Sequence, residues 1–330
     1  MNRLVVAEKA GLSPSTVSRA LTDHPAIPLS TRDHVKKIAK ALGYIPSLLG
    51  KGFYQKKSYR LGLVIPFQYD TRIRSIQGEY FSKTLYGLIR AATAKDFTVN
   101  VIADTGLSAD ELARLVLGHS VDGFVFLGVK IGDFRFDYLA KKKVPFVFIH
   151  HREDGKPFCH VDIDSAKGLR LILEHLKSKN VRSVAWVGGN KEYLNSQDRE
   201  KIFPKLAREL GFEFRGSWEG GFSRRGGQAT ARKILETRPL PDAIVCANDR
   251  SAFGVIEVVK AAGTRIPEEI RITAFDNLDE ATLITPQLTT VENPLFEIGQ
   301  MAGEKLLALI EGKESKSVSV EPRLIIRESA

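Results

Sequence analysis

Cysteine is scarce in this chain of 330 residues: there are two, Cys159 and Cys246. Neither belongs to a Cys-x-x-Cys pair or to a Cys/His cluster with zinc spacing, so a disulfide scaffold and a zinc module are both excluded and a reducing compartment is expected. Long apolar runs are missing as well. No stretch approaches the ~18 residues of a membrane span, and Leu4-Val5-Val6-Ala7 meets Glu8 and Lys9 well short of a secretory apolar region of about 7 to 15 residues. A cytoplasmic chain that does not engage a membrane is the expectation. Catalytic signatures are absent too. Gly188-Gly189 and Gly220-Gly221-Phe222-Ser223-Arg224-Arg225-Gly226-Gly227 carry neither Gly-Lys-Ser/Thr nor Gly-x-Gly-x-x-Gly, so they read as turns. No Gly-x-Ser-x-Gly or His-Glu-x-x-His occurs, and His119, His150, His151, His160 and His175 are scattered without metal spacing. No enzyme activity, cofactor or metal is expected.

What the chain does have is an uneven charge. Residues 1–60 hold eleven Lys/Arg against three acids, a surplus of +8, whereas the other 270 residues hold 38 basic and 36 acidic side chains, a surplus of only +2. A basic head on a nearly neutral body points to a polyanion partner at one end. With 43% apolar and 27% charged residues the body is ordinary folded protein, long enough for two or three domains.

Three short helices are legible in the head. The first covers Arg3 to Ala10 and stops at Gly11. The second has Ser13 as N-cap and Pro14 at the first helical position, where its missing N–H is no loss, and runs over Ser15 to Leu21. Its exposed positions are expected to be Ser15, Thr16, Ser18 and Arg19, with Val17, Ala20 and Leu21 packed inward. The third opens at Ser30 and runs to Leu42, with Val35, Ile38, Ala39 and Leu42 on one face and Gly43 at the stop. Two helices joined by Gly11-Leu12-Ser13, the second presenting hydroxyls and an arginine, can set a helix into the major groove. The same module could instead bind protein, but the charge surplus favours nucleic acid.

The run Val6-Ala7-Glu8-Lys9-Ala10-Gly11-Leu12-Ser13-Pro14-Ser15-Thr16-Val17-Ser18-Arg19-Ala20-Leu21 resembles the start of the lactose-repressor/galactose-repressor (LacI/GalR) family, and Thr31-Arg32 and Leu42-Gly43-Tyr44-Ile45-Pro46 fit at matching spacing. The resemblance implies base contacts from Pro14, Ser15 and Arg19, phosphate contacts from Ser13, Thr16, Ser18 and Thr31, and further DNA-proximal positions at Thr22 and Ala26. It also implies a hinge over 47–60 that folds on DNA and wedges a side chain into the minor groove. That wedge is Phe53, flanked by Gly50 and Gly52, each of which costs a helix about 1 kcal/mol relative to alanine. A plain flexible linker is the alternative.

Beyond residue 60, short apolar runs alternate with amphipathic stretches, the pattern of a parallel sheet covered by helices on both faces. Candidate strands are Leu61 to Ile65, Thr98 to Ile102, Gly123 to Leu127, Phe146 to Ile149, Ser183 to Val187, Ala243 to Ala247 and Arg271 to Phe275. Asp164 to Leu176 is a helix by its Leu169, Ile172, Leu173 and Leu176 spacing. The pattern runs twice, so two similar lobes facing a cleft are expected, with ligand beyond the strands' carboxyl ends.

The resemblance extends over this body, on Val121-Asp122-Gly123, Val187-Gly188-Gly189, Ala247-Asn248-Asp249, Ala274-Phe275-Asp276-Asn277, Thr285-Pro286-Gln287-Leu288-Thr289-Thr290-Val291 and Arg327-Glu328-Ser329. It implies an all-α helix-turn-helix head (1–46), the hinge, and a type I periplasmic-binding-protein-like α/β core (61–330) of two doubly wound parallel-sheet lobes. Lobe one is about 61–164 with 293–322, and lobe two about 165–292 with 323–330. Effector contacts carried over are Arg199, Phe222, Asn248 and Asp276, a set that suits a polyol: a forked donor, two hydroxyl binders and an aromatic platform. Asn248 and Asp249 equally suit a helix cap, and Asp276 a turn.

Three departures from the family pattern stand out. Pro204 lies where a helix should follow Arg199, which suggests that the helix begins later and moves Arg199. Phe67 to Glu79 is a longer loop than usual, bringing Phe67 near the cleft mouth, as a lid or as a solvated insertion. His150-His151-Arg152 replaces an aspartate, which is similar to α-glucoside-type regulators, though buried structural histidines fit as well. The implied function is sequence-specific repression of a carbohydrate-utilisation operon. A homodimer, with a tetramer the larger option, would bind a near-palindromic operator, and a sugar effector in the cleft would alter that binding. A sugar-binding protein with a vestigial head is the rival reading.

Overall fold

A computed structural model describes residues 2–44, 57–66, 78–153 and 155–330. Phe53, Phe67, and most of the hinge and of the 67–79 loop therefore lie outside the described residues. The chain divides into two compact units, 1–60 with 115–122 and 61–114 with 123–330.

In the first unit α1 (Arg3–Ala10) starts where the Asn2 side chain accepts the Leu4 N–H at 3.3 Å and ends at Gly11, whose φ of 64° needs no Cβ. Helix α2 (Pro14–Leu21) begins at Pro14, and Ser13 Oγ accepts the Thr16 N–H at 3.1 Å. Helix α3 (Leu29–Ala41) starts and stops one residue earlier than expected; Ser30 lies inside it, and Pro28 at the cap offers no side-chain acceptor. Val6, Ala7, Val17, Ala20, Ile27, Val35 and Ala39 form the small core between the three helices. Ser18, expected to be exposed, is buried at 8% exposure. It flanks the inward face of Val17, Ala20 and Leu21 on a 3.6-residue helix, and its side chain is too short to reach past its neighbours. Because one hydrogen bond secures the start of α2, Ser13→Ala should lower the stability of the head by about 1 kcal/mol, read as an earlier thermal transition of this unit.

The larger unit contains two six-stranded sheets. One has the order β11-β5-β4-β3-β1-β2 and the other β12-β10-β9-β8-β6-β7. The first sheet uses β1 (Arg60–Pro66), β2 (Thr98–Asp104), β3 (Gly123–Leu127), β4 (Phe146–Ile149), β5 (His160–Ile163) and β11 (Val318–Val320); the second uses β6 (Ser183–Gly188), β7 (Glu213–Glu219), β8 (Ala243–Cys246), β9 (Arg271–Asp276), β10 (Thr289–Glu292) and β12 (Arg323–Ile325). Described registers are parallel except that of β10 with β12. All seven expected strands form, five of them with ends shifted by one or two residues. The five that were missed, β5, β7, β10, β11 and β12, are short or polar, and β7 and β11 lie at or near sheet edges where alternation is weak.

Among the described residues beyond 60, the α-helices are α4 (Glu79–Thr93), α5 (Ala109–Leu117), α6 (Arg135–Lys141), α7 (Ser165–Ser178), α8 (Leu194–Glu209), α9 (Arg224–Leu235), α10 (Asp249–Ala261) and α11 (Leu295–Ile310). The chain returns to the first sheet through α11 and β11, then ends beside β10 in the second. Between β3, β4 and α6, edge-to-face phenylalanines fill one lobe: Phe126 to Phe136 at 5.0 Å and Phe136 to Phe148 at 4.5 Å. In the other lobe Trp186 stacks on Phe203 at 4.7 Å and donates to Glu200 at 2.9 Å.

Helix α8 corrects the expectation about Pro204. It begins at Leu194 and runs through the proline, so Arg199 keeps its place. The proline removes one intrahelical bond at a cost of about 3 kcal/mol, and the buried face of Ser196, Arg199, Phe203, Leu206 and Ala207 offsets it by tertiary packing.

Candidate functional site

In the head, Ser13 and Ser15 are exposed and Thr16 half-buried, and the Ser13 hydroxyl lies 2.8 Å from those of both Ser15 and Thr16. Arg19 is exposed one turn further on, and no described residue pairs with its guanidinium, so all five donors face outward. Thr22 differs: its hydroxyl turns back to the Ser18 carbonyl at 3.0 Å, which continues the end of α2. Pro14 and Thr31 are half-buried. Hydroxyls and an arginine on one short helix can meet phosphate and base edges, whereas buried Ser18 has only its backbone engaged.

In the core, the strand ends of both sheets meet at one cleft. From the first sheet come Ile65 and Pro66 closing β1, Leu127 closing β3 and His150 after β4; from the second come Asn248 after β8, Asp276 closing β9 and Asn293 after β10. All five described effector candidates, His150, Arg199, Phe222, Asn248 and Asp276, line it.

Arg199 is 3% exposed. Its Nε donates to Ser165 Oγ at 3.0 Å and its Nη1 to the Ala247 carbonyl at 2.8 Å, and its guanidinium lies 4.1 Å from the Phe275 ring centroid. Burial lowers its pKa from the free value, and the Asp276 carboxylate opposes that shift. Asp276 has a φ of 121°, an uncommon backbone state for a residue with a Cβ, which aims its carboxyl into the cleft. Burial pushes its pKa up to about 6, with Arg199 the main restraint. Asn248 has both roles left open by its sequence: its Oδ1 caps α10 by accepting from the Ser251 N–H at 3.1 Å and hydroxyl at 2.7 Å, and it still lines the cleft. The Phe222 ring lies over Gly189, where a Cβ would be 2.1 Å from it, so only glycine permits that platform.

The two adjacent histidines separate. His150 Nδ1 lies 2.8 Å from Asp162 Oδ1, leaving Nε2 buried with no partner. Because a carboxylate accepts, Nδ1 carries the proton and Nε2 can accept from a ligand hydroxyl. His151 instead packs edge-to-face on Phe148 at 4.9 Å, and burial lowers its pKa to about 4, the behaviour of a neutral core histidine.

Tyr80, Tyr193, Asn195, Arg250 and Asn293 also line the cleft and were missed. Asn293 follows a strand that was itself missed, and Arg250 lies one residue past the Ala247-Asn248-Asp249 stretch on α10, where no local rule says that its side chain turns to the cleft. Asp249 is also buried near the cleft, accepting from the Leu278 N–H at 2.8 Å and Thr290 Oγ1 at 2.5 Å, and burial keeps its carboxyl well above the usual range. The cleft is bridged on one side, where the Ile131 N–H donates to the Glu192 carbonyl at 2.8 Å and Lys130 pairs with Glu192 at 3.0 Å, and Arg152 reaches Asp198 at 2.6 Å.

Comparison with known proteins matches residues 6–47 to the bacterial regulatory proteins of the lacI family and residues 173–330 to the periplasmic binding protein-like domain. The catabolite control protein A of Priestia megaterium is 28% identical over 321 residues, covering 96% of this chain and 94% of that protein. Among solved structures, a complex of the transcriptional regulator CelR with cellobiose is 25% identical, with complete coverage of both chains and a TM-score of 0.74. The lac repressor dimer bound to operator and the anti-inducer ONPF shares the fold, at a TM-score of 0.82 and 22% identity over 98% of this chain and 97% of that one. No helix among the described residues is long and apolar enough to cross a membrane. A lacI-type DNA-binding head joined to a periplasmic-binding-protein-like body makes this chain a member of the LacI family of transcriptional regulators.

Proposed function

We propose that the protein is a cytoplasmic repressor of carbohydrate-utilisation genes whose operator affinity is set by a sugar in the interlobe cleft. The observation that carries this reading is the convergence on one cleft of His150, Phe222, Asn248 and Asp276, from the ends of strands in two separate sheets, with Arg199 from helix α8. A forked donor, a carboxyl, an amide, an imidazole acceptor and an aromatic face together match the hydroxyls and C–H surface of a pyranose. Residues 1–46 then read the operator, 47–60 form the hinge, and 61–330 sense ligand and dimerise, so that two heads meet a near-palindromic site. An α-glucoside is the class we favour, on the His150-His151-Arg152 stretch, and Ser13, Pro14, Ser15, Thr16, Arg19 and Thr31 form the DNA surface.

A thermal-shift screen of mono- and disaccharides and their phosphates tests the reading. The effector at 100 times its Kd adds about 2.7 kcal/mol of stability, and it shifts operator affinity by the same factor by which operator shifts its own. A ligand that stabilises the core and leaves operator binding unchanged would sink the repressor model.

A further inference from the structure

The charges lining the cleft do not balance. Arg199 and Arg250 are cationic, and Asp276 is the one carboxylate among the described lining residues. Arg199 is already engaged by Ser165, the Ala247 carbonyl and the Phe275 ring. Arg250 is not. It is the second residue of α10 in the second lobe, and no described side chain or carbonyl pairs with its guanidinium.

Its position is defined from the opposite lobe. The guanidinium lies against Gly78, so closely that a Cβ at that residue would be 2.0 Å from Nη2. Gly78 is the N-cap of α4 and offers no side-chain acceptor to the first-turn N–H groups. The one acid of that turn, Glu79, is committed elsewhere: its carboxylate accepts the Asp279 N–H at 2.9 and 2.8 Å and pairs with Lys83. A fork of cationic donors and an uncapped helix start thus meet at the same seam of the cleft. The buried groups that lack partners point to a ligand independently. His150 Nε2 and Asn293 Oδ1 belong to lining residues at most 8% exposed, and neither has a hydrogen bond. These are acceptors suited to hydroxyls, so the cleft combines polyol recognition with a cationic fork whose charge the Asp276 carboxylate feels but whose donors no described group takes up.

We propose that Arg250, held against Gly78 at the start of α4, receives an anionic substituent of the effector, so that the preferred ligand is an acidic sugar bearing a carboxylate or a phosphate. This rests on the reading of the cleft as a sugar site and names the class of sugar. The anion bridges the lobes, because its two partners stand on helices of different lobes, α4 and α10. Loss of either the charge or the fork weakens the acidic ligand selectively.

Calorimetric titration of the full-length chain with matched pairs tests this: glucose against glucuronate and glucose 6-phosphate, galactose against galacturonate and galactose 6-phosphate, with inorganic phosphate alone as a further probe. The expected result is an acidic sugar that binds at least tenfold more tightly than its neutral parent, the uronate and phosphate arms showing which anion is taken. In R250M that ratio falls to within about threefold of one, and R250K, which keeps the charge without the fork, restores part of it. A neutral sugar that binds as tightly as its acidic partners, or a preference that survives R250M, overturns the inference and leaves the sugar reading intact. Arg250-dependent binding of inorganic phosphate with no sugar bound keeps the anion site and overturns the sugar reading. No binding by any probe counts against both.

Discussion

Arg19→Ala lowers operator affinity by roughly 30-fold to 10⁴-fold while leaving effector binding and core stability unchanged. The size follows from the chemistry of one side chain used twice. A bidentate arginine-to-base contact contributes about 1–3 kcal/mol, and a dimer on a near-palindrome makes it in both half-sites, for about 2–6 kcal/mol in all. Arg19 suits this because its guanidinium is exposed and no described residue competes for it. Anisotropy titration of labelled operator at fixed salt, beside a scrambled duplex, separates the two components of binding. The scrambled duplex should lose only what one phosphate-directed charge per head supplies. An Arg19→Ala protein that retarded its operator normally would remove this residue from the reading surface.

The second large effect is on stability. Where α4 meets α11, a Cβ on Gly87 would lie 1.9 Å from the Phe296 carbonyl oxygen, and one on Gly299 would lie 2.0 Å from the Thr84 carbonyl oxygen. The second lobe repeats the device between α9 and α10, with Gly227 2.0 Å from the Ser251 oxygen and Gly254 2.0 Å from the Arg224 oxygen. Backbone cannot rotate aside as a side chain can, so any Cβ forces the helices apart and breaks contact along both. Gly87→Val should therefore cost about 3 kcal/mol, the upper end of overpacking penalties, measured as a lower urea midpoint. Gly87→Ala and Gly299→Ala combined should cost less than their sum, because the first has already separated the pair. A loss under 1 kcal/mol for Gly87→Val would show that these helices are not locked by close approach.

Much of the fold was legible because it rests on local rules. Asn2 and Ser13 cap their helices by short-range geometry, and strands such as Gly123–Leu127 and Phe146–Ile149 are apolar runs with nowhere to go but a sheet interior. Ser18 and Pro204 were misjudged for one shared reason: whether a position is covered or a broken hydrogen bond is tolerated depends on what packs across it. The cleft was half legible. His150, Arg199, Phe222, Asn248 and Asp276 came from motifs, whereas Tyr80, Tyr193, Asn195, Arg250 and Asn293 reach the same space from helices and loops whose facing only tertiary packing sets.

Cysteine scarcity, the missing apolar runs and the concentration of positive charge in residues 1–60 are properties of composition, and the sequence alone determined them. The sequence likewise set the starts of the first two helices in the head and the alternation that makes two sheets. Only the tertiary structure decided which of two adjacent histidines faces the cleft, that Pro204 lies within a continuous helix, and that Arg250 lies against Gly78 from across the seam. Local propensity acts over a few residues, whereas burial, cation placement and pKa arise from groups far apart in the chain, such as Arg199 and Asp276 or Gly78 and Arg250, which are neighbours only after folding.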